Sequence, residues 1–266
     1  METKAGISAL TVFADTGIAP EEAAQLAGHL QSELTCDPDT AAEADRSGRL
    51  ILHLSQQGLA LEGGGLSLQA DLSSMLPRLK PANLQREMLV KAAKLKGRSA
   101  PLSALDATAG MGEDSLLLAA AGYRVTLYEY DPVIAALLRD ALHRAAAIPE
   151  LTDPVSRMTL VEGDSIAAMN ALAKANEDTP DLILLDPMFP ERTKSALVKK
   201  KFQLLHRLER PCANEEAMLQ AAVAAGPARI VVKRPLKGPF LAGIRPSYSL
   251  SGKAIRYDCI VPPHRS

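Results

Sequence analysis

The spacing of hydrophobic positions changes near residue 80. Before that point, Pro20-Glu21-Glu22 opens a helical stretch to about Glu33, with acids in the first turn where the helix dipole favours them. Three short alternating runs follow: Leu50–Leu54, Leu59–Leu61 and Leu66–Leu68. Gly58 and the triplet Gly63-Gly64-Gly65 separate them, the pattern of a small antiparallel meander. Gly6–Ala14 is mildly apolar after Lys4, holds Ser8 and Thr11 and lacks a small-x-small cleavage site, so it reads as a first strand and not a signal peptide. Residues 1–78 are expected to form an N-terminal accessory α+β domain.

From Pro81 onward, helix and strand signals alternate. Asn83–Leu95 is amphipathic. Strands are expected at Leu102–Asp106, Arg124–Glu129, Met158–Val161, Leu182–Asp186 and Arg229–Lys233, with one or two more in 246–262. Helices are expected at Ser115–Ala121, Pro132–Ala147, Ile166–Ala175 and Asn214–Ala225. This alternation predicts an α/β domain over 79–266, a doubly wound, mostly parallel sheet with helices on both faces. Ligands of such sheets sit at the carboxyl ends of the strands.

What stands at those ends carries the chemistry. The first strand runs into Asp106-Ala107-Thr108-Ala109-Gly110-Met111-Gly112-Glu113-Asp114, the second into Glu129-Tyr130-Asp131, the third into Asp164-Ser165 and the fourth into Asp186-Pro187-Met188-Phe189-Pro190. A dinucleotide fingerprint needs a third glycine at 115, where Ser115 stands. Asp106, Glu113 and Asp114 would also repel a pyrophosphate, which disfavours a nicotinamide dehydrogenase. They suit a cationic cofactor such as S-adenosylmethionine, with Glu129 placed for a ribose diol. Taken singly, Gly110-x-Gly112 is a tight turn and Asp114 or Ser115 a helix cap. In Asp186-Pro187-Met188-Phe189, a carboxylate and the Pro187 carbonyl can accept the two N–H groups of an exocyclic amine and orient its lone pair, while Phe189 stacks on the base. The bland alternative is a strand-ending turn.

Net charge is −1 over 266 residues, yet it is segregated. Segments 78–98, 192–210 and 226–256 hold 21 of the 30 Lys and Arg residues against two acids, Glu87 and Glu209, a net +19 that reads as a nucleic-acid footprint. Lys91, Lys94 and Lys96 also fit the solvated side of a helix. Aromatics are 3% and Trp is absent, which excludes a broad stacking platform. Cys36, Cys212 and Cys259 form no CxxC and the histidines no ligand spacing, so neither a disulfide framework nor a metal site is expected and a reduced, cytosolic setting is. No run approaches the ~20 apolar residues of a membrane helix.

Asp106–Gly112, Asp131–Leu138, Leu185–Pro190, Lys194-Ser195-Ala196-Leu197-Val198-Lys199-Lys200 and Val231–Pro235 together resemble the bacterial ribosomal RNA small subunit methyltransferase J family over about residues 80–260. The resemblance implies a Rossmann-like class I methyltransferase core, a cytoplasmic location and methyl transfer from S-adenosylmethionine to the exocyclic N2 of a guanine in 16S rRNA, free or in the 30S subunit. It implies cofactor contacts at Glu113, Asp114, Glu129, Tyr130, Asp164, Ser165 and Asp186. At Glu113 and Tyr130 the family pattern carries arginine instead. With the residue reading, Asp106, Gly110, Gly112 and Asp114 are expected to hold the methionine part, and Asp164 and Ser165 the adenine. Asp186, Pro187 and Phe189 are the expected catalytic set; Lys194, Lys199, Lys200, Lys233 and Arg234 are expected phosphate contacts. On the residues alone, a DNA adenine-N6 methyltransferase or a non-catalytic RNA-binding protein of the same fold stays open.

Overall fold

A computed structural model describes residues 10–97, 101–175, 179–187, 203–205, 207–208 and 214–263. The chain divides into two compact units. The first holds a five-stranded sheet of order β2-β1-β3-β4-β5. Its strands are β1 (Leu10–Ala14), β2 (Glu33–Thr35), β3 (Leu50–Ser55), β4 (Gly58–Gly63) and β5 (Leu66–Gln69). β3, β4 and β5 pair antiparallel, the expected meander. β1, by contrast, pairs parallel with both β2 and β3. Helices α1 (Pro20–Leu30) and α2 (Pro38–Arg46) make those crossovers. β2 and α2 carry almost no hydrophobic signal: β2 has three residues, none buried, and α2 buries only Ala41. What fixes α2 is Asp37, whose side chain accepts from the N–H groups of Asp39 and Thr40 ahead of Pro38 at the first turn. The expected strand start, Gly6–Ala9, lies outside the described residues.

The second unit is built on a seven-stranded sheet of order β11-β12-β10-β9-β6-β7-β8. The strands are β6 (Leu102–Asp106), β7 (Tyr123–Glu129), β8 (Met158–Glu162), β9 (Leu182–Leu185), β10 (Arg229–Pro235), β11 (Tyr248–Ser251) and β12 (Ile255–Ile260). β8, β7, β6, β9 and β10 run parallel; β12 is antiparallel to both its neighbours. The helices are α3 (Leu76–Leu79), α4 (Pro81–Leu84), α5 (Met88–Ala93), α6 (Glu113–Ala120), α7 (Pro132–Ala146), α8 (Pro149–Ser156), α9 (Ser165–Ala175) and α10 (Glu215–Ala224). By contacts, 136–144 of α7 group with the first unit. The expected single helix over Asn83–Leu95 is two short ones, because the chain is extended at Glu87 (φ −57°, ψ 130°).

β9 shows why the sheet is central. All of Leu182-Ile183-Leu184-Leu185 is at most 1% exposed. Alternate side chains face opposite sides of a strand. Ile183 and Leu185 join Leu105, Ile230 and Val232 in a core closed by Met169 of α9 and Met218 and Leu219 of α10. A strand buried on both faces reads as one apolar run, as parallel strands do. The chain moves outward from β6 to β8, then returns to start β9 on the other side of β6. The carboxyl ends of β6 and β9 therefore border the crevice where strand order reverses. Ile183→Ala is expected to cost about 2–5 kcal/mol in urea unfolding. A loss under about 1 kcal/mol would place this strand outside the cooperative core.

Candidate active site

The chain leaves β6 at Asp106 and turns into α6. Ala107 N–H donates to the Leu184 carbonyl and Ala109 N–H to that of Tyr128, both at 3.0 Å, so the turn is pinned to the strands on either side. Gly110 (φ 52°) and Gly112 (φ 78°) take left-handed backbone, where a Cβ is costly. A Cβ at Gly110 would meet nothing within 4 Å, so the turn faces open space.

Glu129, the last residue of β7, closes that turn. Its Oε2 accepts Gly110 N–H and its Oε1 accepts Asp131 N–H, each at 2.9 Å. Its backbone carbonyl accepts Gly163 N–H at 2.8 Å. One residue thus ties together the loops after β6, β7 and β8. Burial holds the Glu129 carboxyl above the usual carboxylate range, with the Asp131 and Gly110 N–H groups pulling the other way. The carboxylate retains acceptor capacity for hydroxyl donors. Asp131 and Asp164 cap the helices that follow: Asp131 Oδ1 accepts from Val133 and Ile134, Asp164 Oδ1 from Ile166 and Ala167.

Across the crevice stands Asp186, just past β9. Its N–H donates to Thr108 Oγ1 at 2.7 Å, which locks it to the glycine turn. Lys233 Nζ lies 2.9 Å from Asp186 Oδ2 and 2.7 Å from Asp114 Oδ2. Burial pushes the Asp186 carboxyl up, against the pull of Lys233. Burial also works against charge on Lys233, but Asp114 and Asp186 outweigh it and raise the ammonium well above its ordinary value. Beneath them Asp106 is 2% exposed. Its Oδ2 accepts the Ser115 hydroxyl at 2.6 Å and its Oδ1 the Thr108 N–H at 3.0 Å. Burial pushes this carboxyl up to about 7, although both hydrogen bonds favour its charged form.

Residues 40–262 match the family described as "Putative SAM-dependent methyltransferase". The chain is 41% identical over 213 residues to a Nitrosococcus oceani protein named ribosomal RNA small subunit methyltransferase J, covering 79% of this chain and 83% of that one. It is 40% identical over 251 residues to the Alkalilimnicola ehrlichii protein of the same name, covering 90% of each. It belongs to the ribosomal RNA small subunit methyltransferase J family. The crystal structure of a SAM-dependent methyltransferase from Neisseria gonorrhoeae, 29% identical, matches with a TM-score of 0.73 over 96% of this chain and 97% of that one. The fold is thus the class I methyltransferase sheet, and S-adenosylmethionine is the family's cofactor.

The rim fits that cofactor. It offers a glycine turn open to solvent space, an acid with hydroxyl-accepting capacity at the end of β7, and carboxylates in excess of cations. Gly110, Gly112, Glu113, Asp114, Glu129, Tyr130, Asp164, Ser165, Asp186 and Pro187 all fall on the strand ends, the loops that follow them or the helix starts beside them. Tyr130 is 71% exposed beside Glu129, while Ser165 is buried at the start of α9. Among the described residues no group of three or more His, Cys, Asp or Glu side chains could hold a metal, and no helix is long and apolar enough to cross a membrane.

Three expectations need correction. Asp106 does not face a ligand, because its carboxylate is enclosed by Ser115 and Thr108 and shapes the turn from below. Lys233 is not a surface phosphate contact, because its ammonium is clasped by two carboxylates. Nor is Arg234, which is 1% exposed and donates to Glu215 Oε1 and the Pro239 carbonyl, both at 3.0 Å. Phe189, Lys194, Lys199 and Lys200 lie outside the described residues. The residue reading missed Thr108 and the bond of Ser115 to Asp106. The hydroxyl at 115, where a dinucleotide turn has glycine, was the available signal.

A carboxyl with a folded pKa of about 7, against about 4 unfolded, binds more protons folded than unfolded in between. Its contribution therefore lowers stability as pH rises through that window, and the loss persists above it. Asp106→Asn removes the buried charge, so it is expected to raise Tm relative to wild type at pH 8 by more than at pH 4.5. Thermal melts at both pH values check this, and a Tm difference independent of pH contradicts it.

Proposed function

We propose that this chain transfers a methyl group from S-adenosylmethionine to the exocyclic N2 of a guanine in 16S rRNA, in the cytoplasm. One observation supports it most: the Asp186-Pro187 end of β9 is tied through Thr108 to the glycine turn on the other side of the switch point. Donor and acceptor subsites are thereby parts of one hydrogen-bonded unit. Bound there, S-adenosylmethionine supplies an activated methyl on a sulfonium. Glu129 accepts its ribose hydroxyls. Asp164 and Ser165 border the adenine, with Tyr130 beside them. The α6 start, at Gly112, Glu113 and Asp114, takes the methionine part.

On the acceptor side, a guanine N2 lone pair is delocalised into the ring and must be freed before it can attack. Asp186 and the Pro187 carbonyl accept its two N–H groups and turn the lone pair toward the methyl. With the donor bound, the N–C bond would form as the C–S bond breaks, leaving S-adenosylhomocysteine, and the nitrogen would shed one proton to the Asp186 carboxylate, which would pass it to water. Phe189 is placed in sequence to stack on the base, and Lys194, Lys199 and Lys200 to hold flanking phosphates. Membership in a family whose relatives are named for small-subunit rRNA favours this substrate over duplex DNA.

Asp186→Ala is expected to lower kcat by roughly 10²–10⁴-fold while S-adenosylmethionine affinity, by calorimetry, stays within about tenfold. Mass spectrometry of 16S rRNA from a deletion strain carrying wild type or the variant reads the outcome in cells. Full restoration of the N2-methylguanine by the variant contradicts the assigned role. Restoration by neither protein contradicts the substrate.

A further inference from the structure

We infer that Lys233 is a positioning residue that clamps the donor side of this site to its acceptor side. The inference rests on the function proposed above. Strand register carries it: Val232 stands opposite Leu185, so the next step along the two strands brings Lys233 beside Asp186. Val232 and Leu185 share one buried face of the sheet. By alternation, Lys233 and Asp186 leave on the other face, where Lys233 Nζ is 2.7 Å from Asp114 Oδ2 in the first turn of α6 and 2.9 Å from Asp186 Oδ2 past β9. One helix start and two strand ends meet at one ammonium.

The arrangement is not a surface ion pair. The side chains of Lys233, Asp114 and Asp186 are 27%, 15% and 36% exposed. Partly buried carboxylates this close repel one another unless a cation stands between them. The titratable and charged groups whose fields reach Asp186 and Lys233 are Asp114 on α6, Asp106 on β6, Tyr257 on β12 and Arg234, the next residue of β10, whose side chain leaves on the opposite face toward Glu215. Lys233 is the cation in contact with both acids. It occupies Oδ2 of Asp186 and, as an adjacent cation, favours the charged form of that carboxylate against burial, which assigns Oδ1 to the target amine. It simultaneously fixes Asp114, so with the Thr108–Asp186 bond it sets the distance from methyl donor to acceptor.

The full-length wild type is compared with Lys233→Met, Lys233→Arg and the charge-balanced pair Lys233→Met with Asp114→Asn, using 30S subunits from a strain lacking the gene. The ¹³Cγ signal of Asp186 is followed against pH in the free protein, a readout independent of turnover. Lys233→Met is expected to lose at least about 30-fold in kcat at pH 7 with KM for the subunit within about threefold. The Asp186 titration should move up by about one pH unit or more, and the low-pH limb of the kcat profile with it. Lys233→Arg should recover to within about tenfold of wild type, because a guanidinium can still bridge the acids. An unchanged kcat with a raised KM and a salt dependence reduced by about one phosphate overturns the clamp and restores a phosphate contact. An unmoved Asp186 titration also overturns it. So does a Lys233→Met chain that fails to fold while the charge-balanced pair folds with wild-type turnover. A wild type that binds S-adenosylmethionine but leaves the subunit unmethylated refutes the proposed function, and the Asp186 titration still decides the clamp.

Discussion

Negative charge gathered at one rim of a sheet must be matched, and this structure matches each carboxylate differently. Asp106 is enclosed by a hydroxyl and an N–H and held close to neutrality. Glu129 spends its oxygens on backbone N–H groups of two loops. Asp131 and Asp164 satisfy helix starts. Asp114 and Asp186 share Lys233. The shape of the site follows from these solutions, since each bond that offsets a charge also fixes a loop.

The same carboxylates suit the rim to a sulfonium. The carboxylates held in place by N–H donors keep their negative field, and a cation brought near them gains without having to reorganise the loops. The acceptor side needs the opposite treatment: Asp186 must stay ionised in a partly buried place while a neutral amine approaches. An ammonium one strand away favours the charged form there. In this account the ends of β6, β9 and β10 form one electrostatic unit, and methyl donor and base are brought together by the strand order that separates β6 from β9.

The sheet was legible because its central strand β9 is apolar on both faces and the strand ends carry unusual residues. The Leu182–Leu185 run, the glycine turn and Asp186-Pro187 announced themselves in the sequence. β2 and α2 did not, because a three-residue edge strand and a polar helix fixed by Asp37 leave no hydrophobic period to find. Charge counting points to a nucleic acid without separating surface cations from inward ones. Within 226–256, Lys237, Arg245 and Lys253 are exposed, whereas Arg229 donates to the carbonyls of Ala92 and Lys94, Arg234 and Arg256 are buried, and Lys233 is clasped by acids. A basic segment in sequence resembles a phosphate-binding surface until its side chains are seen turned inward, and only three-dimensional register shows that.

Glu129 and the glycine turn are expected to hold the cofactor facing Asp186. A crystal structure with S-adenosylhomocysteine, the unreactive product, tests it most directly. Both ribose hydroxyls are expected within about 2.6–3.2 Å of the Glu129 carboxylate, with the sulfur on the side of the crevice that faces Asp186. A ligand bound elsewhere, or bound here with its sulfur turned away from Asp186, would contradict it.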